Sequence, residues 1–301
     1  ASQVSMNRNP LRRIESGDWS NSRTQNTLMD FAVDLKPVKG LTVTGEMSYR
    51  IWDYKAKTYT ASRPKIKDFL TGQELNGTQV AVENSKMEYD WQESTRLIYN
   101  GLANYTWSKD IHNINALLGV SYEHYQEETL MASRQDFPAD SFDDLSAGAT
   151  SGSLYKNGSS MQEYKMFSYF GRINYTLMER YMLEANFRAD ASSRFHADNR
   201  WGYFPSFSAG WRISEESFME STRNIIDNLK LRASYGTLGN INNVGNYDYF
   251  QNYGSRKVSG VDAYYSFGDS PAKVIEETKP ANPSLSWEKV ALTDIGVDFD
   301  L

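Results

Sequence analysis

The chain of 301 residues carries 32 Lys and Arg against 38 Asp and Glu, which gives a formal net charge of −6, and it contains no cysteine. The acidic balance argues against a nucleic-acid binder, which would show a basic patch or stripe. The absence of cysteine excludes a disulfide framework and a cysteine-based zinc site. No run of about 18 apolar residues occurs, so the sequence offers no transmembrane helix. The many aromatic residues, 14% of the chain, and the weak hydrophobicity favour an all-β protein.

The N-terminal half of the chain alternates between apolar and polar residues in four stretches. Residues 1–26 are polar and irregular, and we predict a loop there. A period of two then predicts strands at 27–36 and 41–54, joined by a turn at 36–40. After a long irregular stretch at 55–92, strands are predicted at 93–107 and 111–126, with a short turn at 108–110.

The C-terminal half contains the clearest hairpin of the chain. Two alternating runs within Phe167–Asp190 flank the tight connection 178–180, and each run is about ten residues long. Roughly 9–11 tilted strand residues cross the hydrocarbon layer of a bilayer. Further strands are predicted at 204–213, 228–236 and 285–301, and a helical turn capped by Ser214 is predicted at 214–227.

The lengths of the connections predict a transmembrane barrel. Short or compact connections at 36–40, 108–110, 178–180 and 214–227 fall on one rim of an up-and-down sheet. The longer stretches at about 55–92, 127–162, 191–203 and 237–282 fall on the other rim. Short periplasmic turns with long external loops are typical of outer-membrane barrels. We therefore predict a transmembrane antiparallel up-and-down β-barrel, to which residues 1–301 contribute about nine strands of one domain.

A barrel of this kind gives each strand a wet face and a lipid face. We expect the polar set to line the lumen: Arg172, Asn174, Glu184, Asn186, Arg188 and Arg232. The apolar set is expected to face lipid: Ile173, Leu183, Phe187 and Leu231. Aromatic residues near the two rims, with Tyr175, Tyr181 and Trp211 at the short-turn rim and Tyr169 at the other, suit the two membrane interfaces. Ordinary packing of a soluble sheet explains the same aromatic residues equally simply.

Several motifs in the second half of the chain resemble one family. They are Ser192-Ser193-Arg194-Phe195, Arg200-Trp201-Gly202-Tyr203-Phe204-Pro205-Ser206, Gly210-Trp211-Arg212, Leu231-Arg232-Ala233-Ser234-Tyr235-Gly236 with Gly239-Asn240, Asn282-Pro283-Ser284-Leu285-Ser286-Trp287-Glu288-Lys289, and Ile295-Gly296-Val297-Asp298-Phe299. Together they resemble the SusC/RagA-type TonB-dependent outer-membrane transporters. The resemblance is clear from about Phe167 to Leu301 and weak before that.

The resemblance implies a barrel of 22 strands with a plugged lumen, located in the outer membrane of a Gram-negative bacterium. It implies import of a large nutrient, an oligosaccharide or an oligopeptide, with a SusD-like surface lipoprotein and the TonB complex as partners. The plug domain and the remaining strands are not recognisable in this sequence. We therefore expect the chain to be an internal section of a larger barrel, and its sheet edges to pair with the rest of that barrel within outer-membrane lipid.

No residue pattern in the chain indicates an enzyme, a cofactor or a metal. His112, His124 and His196 are the only histidines and lie far apart in the sequence, so they do not form a ligand or catalytic spacing. Asp140 and Asp143 with Asp144 leave a calcium site open, although their spacing is irregular and a solvated acidic loop explains them. An outer-membrane barrel enzyme would need a Ser/His/Asp-type constellation, which these histidines do not support.

One long loop carries the candidate substrate contacts. Aromatic rings with neighbouring amides suit sugar rings or peptide backbones. The candidates are Tyr247, Tyr249, Phe250, Tyr253, Tyr264 and Tyr265. Packing of the loop on its neighbours, or on a partner lid, would use the same residues. The alternative function is a soluble or surface-attached glycan-binding β protein without transport activity.

Overall fold

The computed structural model describes residues 17–62, 70–71, 73, 84–222, 225–259, 261–268 and 270–300. The first strands of the main sheet are β1 Trp19–Val38, β2 Leu41–Thr60, β3 Lys86–Lys109, β4 His112–Gln135, β5 Tyr155–Leu177, β6 Tyr181–Ser192, β7 Trp201–Arg212 and β8 Asn228–Asn240. Six short strands follow, β9 Asn252–Ser255, β10 Lys257–Val258, β11 Val261–Asp262, β12 Tyr264–Phe267, β13 Ser270–Lys273 and β14 Ile275–Lys279, and β15 Glu288–Asp300 ends the described chain.

The nine long strands form one sheet in the order β1-β2-β3-β4-β5-β6-β7-β8-β15. Each strand lies beside its predecessor, and the six short strands pair only among themselves, as β10 with β11, β12 with β13, and β14 with β9. This order is the up-and-down arrangement, so the predicted all-β fold with about nine antiparallel strands is confirmed. No helix in the part of the chain described here is long and apolar enough to cross a membrane.

The strands are longer than the hydrophobic alternation predicts. β2 continues to Thr60 and β4 to Gln135, well into the stretches that the sequence assigns to loops at 55–92 and 127–162. Alternation marks a strand only where its two faces meet different surroundings. Where both faces are polar, the same extended backbone continues without an apolar-polar pattern, and the sequence-based boundaries are therefore wrong at these strand ends.

The connection after β7 also differs from its prediction. It contains two 3-10 helices, Ile213–Glu215 and Ser217–Thr222, instead of a helical turn that begins at Ser214. Ser214 lies inside the first of them, and its buried hydroxyl has no hydrogen-bond partner, so it caps nothing. Residues 285–287 likewise precede β15 and do not belong to the strand that the sequence predicts from 285.

The chain divides into two compact units, each with its own small core. The described residues of 1–29, 50–96 and 126–162 form the first unit. Its core contains Tyr59, Ala61, Met87 and Phe137. Residues 30–49, 97–125 and 163–301 form the second unit, whose core contains Phe195, Phe204 and Trp287. Most other large apolar side chains of the sheet are exposed on this chain, which is typical of a surface that requires a solvent other than water.

The turns between consecutive strands are short where the sequence predicts them. Only Lys39 and Gly40 separate β1 from β2. Gly40 has φ +86°, and a Cβ added there would overlap the carbonyl oxygen of Thr106. The amide of Thr106 donates to the Gly40 carbonyl at 2.8 Å, so this turn rests directly on the end of β3.

We predict that Gly40→Ala lowers the free energy of unfolding of the full-length protein by at least about 1–2 kcal/mol, because a left-handed alanine is strained and its methyl group overlaps Thr106. Urea unfolding in detergent micelles measures the change. Gly45→Ala is the matched control, since a Cβ at Gly45 would meet nothing within 4 Å. An equal effect of the two substitutions would contradict this account of the turn.

Candidate functional site

The strand register collects the predicted lumen residues on one face of the sheet. Arg172 pairs with Asn186, Asn174 with Glu184, and Arg232 with Gly296. Residues that pair across an antiparallel ladder point to the same side. We call this side the polar face, and it carries Arg172, Asn174, Glu184, Asn186, Arg188 and Arg232, together with Asp190, Ser206, Ser208, Ser234, Asp294 and Asp298.

Hydrogen bonds tie the polar face into short networks. Arg172 Nε donates to Asn186 Oδ1 at 2.7 Å, and Asn186 Nδ2 donates to Glu184 Oε1 at 2.7 Å. Arg188 Nε lies 2.8 and 2.9 Å from the two carboxylate oxygens of Asp190. Both cations and both anions of the central strands therefore have partners along the strand or across the ladder, and the face presents fixed charges.

Arg188 is the most closely held of these cations. Besides its bonds to Asp190, its Nη2 donates to Ser168 Oγ at 3.1 Å, and its guanidinium carbon lies 5.5 Å from the centre of the Phe170 ring. Asp190 and Ser168 are buried. A cavity of about 640 Å³ opens on this side, lined in part by Arg172, Arg188 and Phe204. Its mixed polar and aromatic lining can hold a polar ligand or a partner segment.

The opposite face of the same strands is apolar. Ile173 pairs with Ala185, Leu183 with Ala209, and Leu231 with Val297, while Phe187 follows two residues after Ala185 on β6. The side chains of Ile173, Leu183 and Phe187 are about half exposed. We call this side the apolar face; its further members are Phe207, Ala233, Tyr235, Ile295 and Phe299.

Aromatic residues bound the apolar face along β7. Trp201 and Trp211 both lie on this face and mark the two ends of an 11-residue stretch. Trp201 stacks on Tyr169 with ring centroids 5.9 Å apart. At the other end, Trp211 Nε1 donates to Glu216 Oε1 at 2.9 Å and Tyr181 Oη donates to the same oxygen at 2.5 Å. The hydrogen bond from Tyr181, followed by that from Trp211, lowers the pKa of the Glu216 carboxyl in the turn.

The structure separates the six loop aromatics into three groups. Tyr249 and Phe250 lie with ring centroids 4.2 Å apart, Tyr247 lies 6.5 Å from Phe250, and His196 contacts Tyr249 at 6.1 Å. Tyr253 lies on β9, opposite Glu277 of β14. Tyr264 and Tyr265 lie on β12 and point to opposite sides of the β12–β13 ribbon. Only Tyr247, Tyr249 and Phe250 form one surface, which we call the aromatic triplet.

The motifs that carry the family resemblance form a buried anchor beside the triplet. Phe195 and Phe204 each contact Trp287 with ring centroids 5.4 Å apart, and all three residues are buried. The indole of Trp287 donates to the carbonyl of Arg200 at 2.9 Å. Gly202 leaves the necessary space, since a Cβ there would lie 2.9 Å from Trp287 Cγ. Sequence reasoning used these residues as a signature and missed that separate motifs pack against one another.

Arg194 connects this anchor to the loop that carries the triplet. Its Nη1 donates to the carbonyls of Ile241 and Val244 at 3.3 and 3.0 Å, and its guanidinium carbon lies 4.6 Å from the centre of the Tyr164 ring. Within the loop, Asp248 accepts from the Gly245 amide and from Lys279 Nζ, both at 2.7 Å. The bond from Lys279 is the main reason why the pKa of Asp248 is lowered. The loop therefore has fixed points on both sides of Tyr247.

The acidic residues of the candidate calcium loop have structural partners. Asp140 Oδ1 accepts from Tyr59 Oη at 2.7 Å, and Asp144 Oδ1 accepts from the Ser146 amide at 2.7 Å at the start of the 3-10 helix Leu145–Ala147. The amide bond to Ser146 and the neighbouring hydroxyl lower the pKa of Asp144. Within the described ranges, no three acidic or histidine side chains converge in a way that could hold a metal ion.

Comparison with known proteins decides the family. The family model described as "TonB dependent receptor-like, beta-barrel" matches residues 3–301. The chain belongs to this TonB-dependent receptor family. It is therefore a section of a β-barrel of the Gram-negative outer membrane, from a family of TonB-dependent transporters, and the sequence-based prediction of a SusC/RagA-type member is confirmed.

Curated relatives agree with this assignment. The chain is 30% identical over 239 residues to the TonB-dependent receptor SusC of Bacteroides thetaiotaomicron, a match that covers 76% of this chain and 23% of SusC. It is 27% identical over 293 residues to the TonB-dependent receptor P39 of Formosa agariphila, covering 97% of this chain and 26% of that receptor. The chain thus spans about a quarter of the length of the curated relatives that it matches.

Solved structures show the same fold. The chain matches the RagAB peptide importer in its closed-closed state with a TM-score of 0.77 and 24% identity, over 94% of this chain and 28% of that chain. The open-open state of the same importer matches with a TM-score of 0.76 and 25% identity, over 93% and 28% of the two chains. These relatives are transporters and receptors, which agrees with the prediction of a protein that is not an enzyme.

In this TonB-dependent receptor section, we predict that Phe195→Ala loosens the loop that carries the triplet. Loss of a buried phenylalanine costs about 3–5 kcal/mol, and the cost falls on the packing between Phe195, Trp287 and the residues beside Arg194. Hydrogen exchange should show faster exchange of the amides at 241–250 and unchanged exchange in the turn at 38–41.

Phe218→Ala serves as the control, because Phe218 is 63% exposed and lies in the connection after β7. Faster exchange throughout the sheet after Phe195→Ala, or none in residues 241–250, would show that the anchor does not hold this loop.

Proposed function

We propose that the chain forms nine strands of the wall of an importer that carries an oligosaccharide or an oligopeptide across the outer membrane. The observation that carries the proposal is the two-faced sheet, whose polar and apolar sides alternate residue by residue between Trp201 and Trp211. Eleven tilted strand residues match the hydrocarbon thickness of a bilayer, and aromatic rings favour its interfaces. The apolar face would contact lipid, and the polar face would line the lumen.

The two rims differ as they do in outer-membrane barrels. Turns of two or three residues follow β1, β3 and β5 on one rim, which would face the periplasm. The aromatic triplet and the short ribbons from β9 to β14 lie beyond the opposite ends of β8 and β15, on the rim that would face the exterior. The stretches at about 55–92, 127–162, 191–203 and 237–282 would supply the external loops, shortened by the strand extensions described above.

The aromatic triplet is the preferred substrate contact of the six loop residues. Its three rings form one surface, while Tyr253, Tyr264 and Tyr265 lie on separate ribbons. Aromatic faces bind the apolar faces of sugar rings and also peptide groups. Both substrate classes therefore remain within the proposal, and a SusD-like surface lipoprotein would close the external mouth above this loop.

Completion of the barrel and energy supply would come from outside this chain. β1 and β15 are the outer members of the sheet order, and unpaired backbone groups at such edges are costly in lipid. Further strands of the same barrel would pair there. The TonB complex would act through a segment outside this chain, and no cofactor is required for the wall to work.

A matched pair of arginine substitutions tests the two faces. Ile173 pairs with Ala185 near the middle of the stretch between the aromatic ends, and Asn174 is its polar-face neighbour. We predict that Ile173→Arg lowers the free energy of folding into a bilayer by roughly 2–4 kcal/mol, because a cation near the midplane of the lipid face is poorly solvated. Asn174→Arg should cost less than about 1 kcal/mol, because it faces water and Glu184. Equal costs would refute the assignment of faces.

Nutrient uptake tests the transport itself. We expect a strain that lacks the full-length gene to lose growth on one defined oligosaccharide or oligopeptide, and the intact gene to restore it only when TonB is present. The triple variant Tyr247→Ala/Tyr249→Ala/Phe250→Ala should reach the outer membrane at normal abundance yet need at least tenfold more substrate. Its control is Tyr264→Ala/Tyr265→Ala. Binding of substrate without TonB-dependent uptake would instead favour a binding protein without transport activity.

A further inference from the structure

A basic and aromatic cleft lies in the first unit, on strands β1 to β4. Its volume is about 390 Å³, and Arg23, Lys55, Lys57, Tyr89 and Trp91 are among its lining residues. Leu130 and Ala132 add an apolar edge. Neither the polar face nor the aromatic triplet includes any of these residues, so the proposed import route does not account for them.

Strand alternation places this cleft on the continuation of the apolar face. On β2 the apolar positions 41, 43, 47, 49 and 51 are followed, at the same spacing of two, by Asp53, Lys55 and Lys57. On β1, Met29 is followed toward the N-terminus by Thr27, Gln25 and Arg23 at the same spacing. Both strands thus change from apolar to charged on one side, about four residues past the last apolar position.

The aromatic residues hold the cleft in a defined form. Lys57 Nζ lies 5.5 Å from the centre of the Trp19 ring and 5.1 Å from that of Tyr89, and it donates to the carbonyl of Asp143. Trp91 Nε1 donates to Asp53 Oδ2 at 3.1 Å. Lys57 and Asp53 are therefore fixed by their neighbours, and they position the more mobile cations beside them.

Lys55 and Arg23 are the cations that a ligand can reach. The side chain of Lys55 is 63% exposed, with its Nζ 3.2 Å from Asp53 Oδ2. Arg23 is exposed and donates through Nη2 to Gln25 at 2.8 Å. An exposed pair such as Lys55–Asp53 contributes little to stability, so an anion of higher charge can compete with Asp53 for the ammonium group.

We propose that this cleft binds the phosphorylated sugar headgroup of a lipid in the outer leaflet. The proposal rests on the orientation given under the proposed function, which puts this end of the strands outside the cell. Basic side chains just beyond a lipid-facing band bind anionic headgroups, and guanidinium groups bind phosphate with two parallel hydrogen bonds. Tyr89 and Trp91 offer ring faces for the sugar, and Leu130 and Ala132 lie where an acyl chain would begin.

The test measures binding of lipid A that carries both phosphates to the full-length protein in detergent micelles. We expect saturable binding that weakens as salt rises. Arg23→Gln/Lys55→Gln should weaken it roughly 30-fold, which is the effect of losing two basic residues near an anionic surface. Dephosphorylated lipid A and inorganic phosphate alone should both bind at least tenfold more weakly than the intact lipid.

The control variant is Arg50→Gln/Arg96→Gln, which removes two cations from the other side of β2 and β3 and should leave lipid A binding within twofold. Equal loss in both double variants, equal binding of dephosphorylated lipid A, or equally tight binding of phosphatidylglycerol would overturn the headgroup site. TonB-dependent nutrient uptake by Arg23→Gln/Lys55→Gln separates the two proposals, because it persists if only the headgroup site is wrong.

Discussion

The in-register backbone ladder of the nine-stranded sheet is the constraint on which every other feature depends. It fixes that Glu184 faces Ser208 and Leu183 faces Ala209 across the same pair of strands, so one step along the chain changes the solvent. A shift of one residue in any pairing would place Arg172 or Arg188 in lipid and Ile173 in the lumen. The fixed turns between strands, above all those at Gly40 and at Met178–Glu179, limit such shifts, since each holds residues at positive φ that only one register accommodates.

The sheet solves two further problems with the same geometry. Charges on the polar face are paired along or across strands, as in Arg188 with Asp190 and Arg172 with Asn186, which keeps a wall that contacts passing ligands from collapsing onto them. At the external end, Phe195, Phe204 and Trp287 form a small buried core where the sheet itself has none. This core and Arg194 hold the loop with the aromatic triplet, so a flexible-looking, asparagine-rich segment has a defined base.

Sequence reasoning predicted the central strands well and their outer ends poorly. The hairpin of β5 and β6, with its connection at 178–180, is where the alternation places it, because lipid on one side and water on the other enforce a period of two. Tyr59 and Met87 illustrate the failure: they are fully buried in strands that the sequence assigns to a loop, in a region where both faces are polar and no period remains. The anchor was also beyond reach, since Phe195 and Trp287 are 92 positions apart in the sequence and only the folded sheet brings them together. Members of the polar face were predicted individually, while their hydrogen-bond partners depend on a register that one strand alone does not reveal.

The absence of cysteine from this chain permits a direct test of the central claim. Single cysteines placed in turn at residues 202–210 of β7, in the full-length protein inserted in bilayers, can each carry a spin label whose contact with dissolved oxygen and with a water-soluble nickel complex is measured. The account predicts strict alternation: odd positions such as 207 and 209 collide with oxygen in the lipid, and even positions such as 206 and 208 collide with the nickel complex. Uniform accessibility along β7, or alternation in the opposite phase, would contradict it.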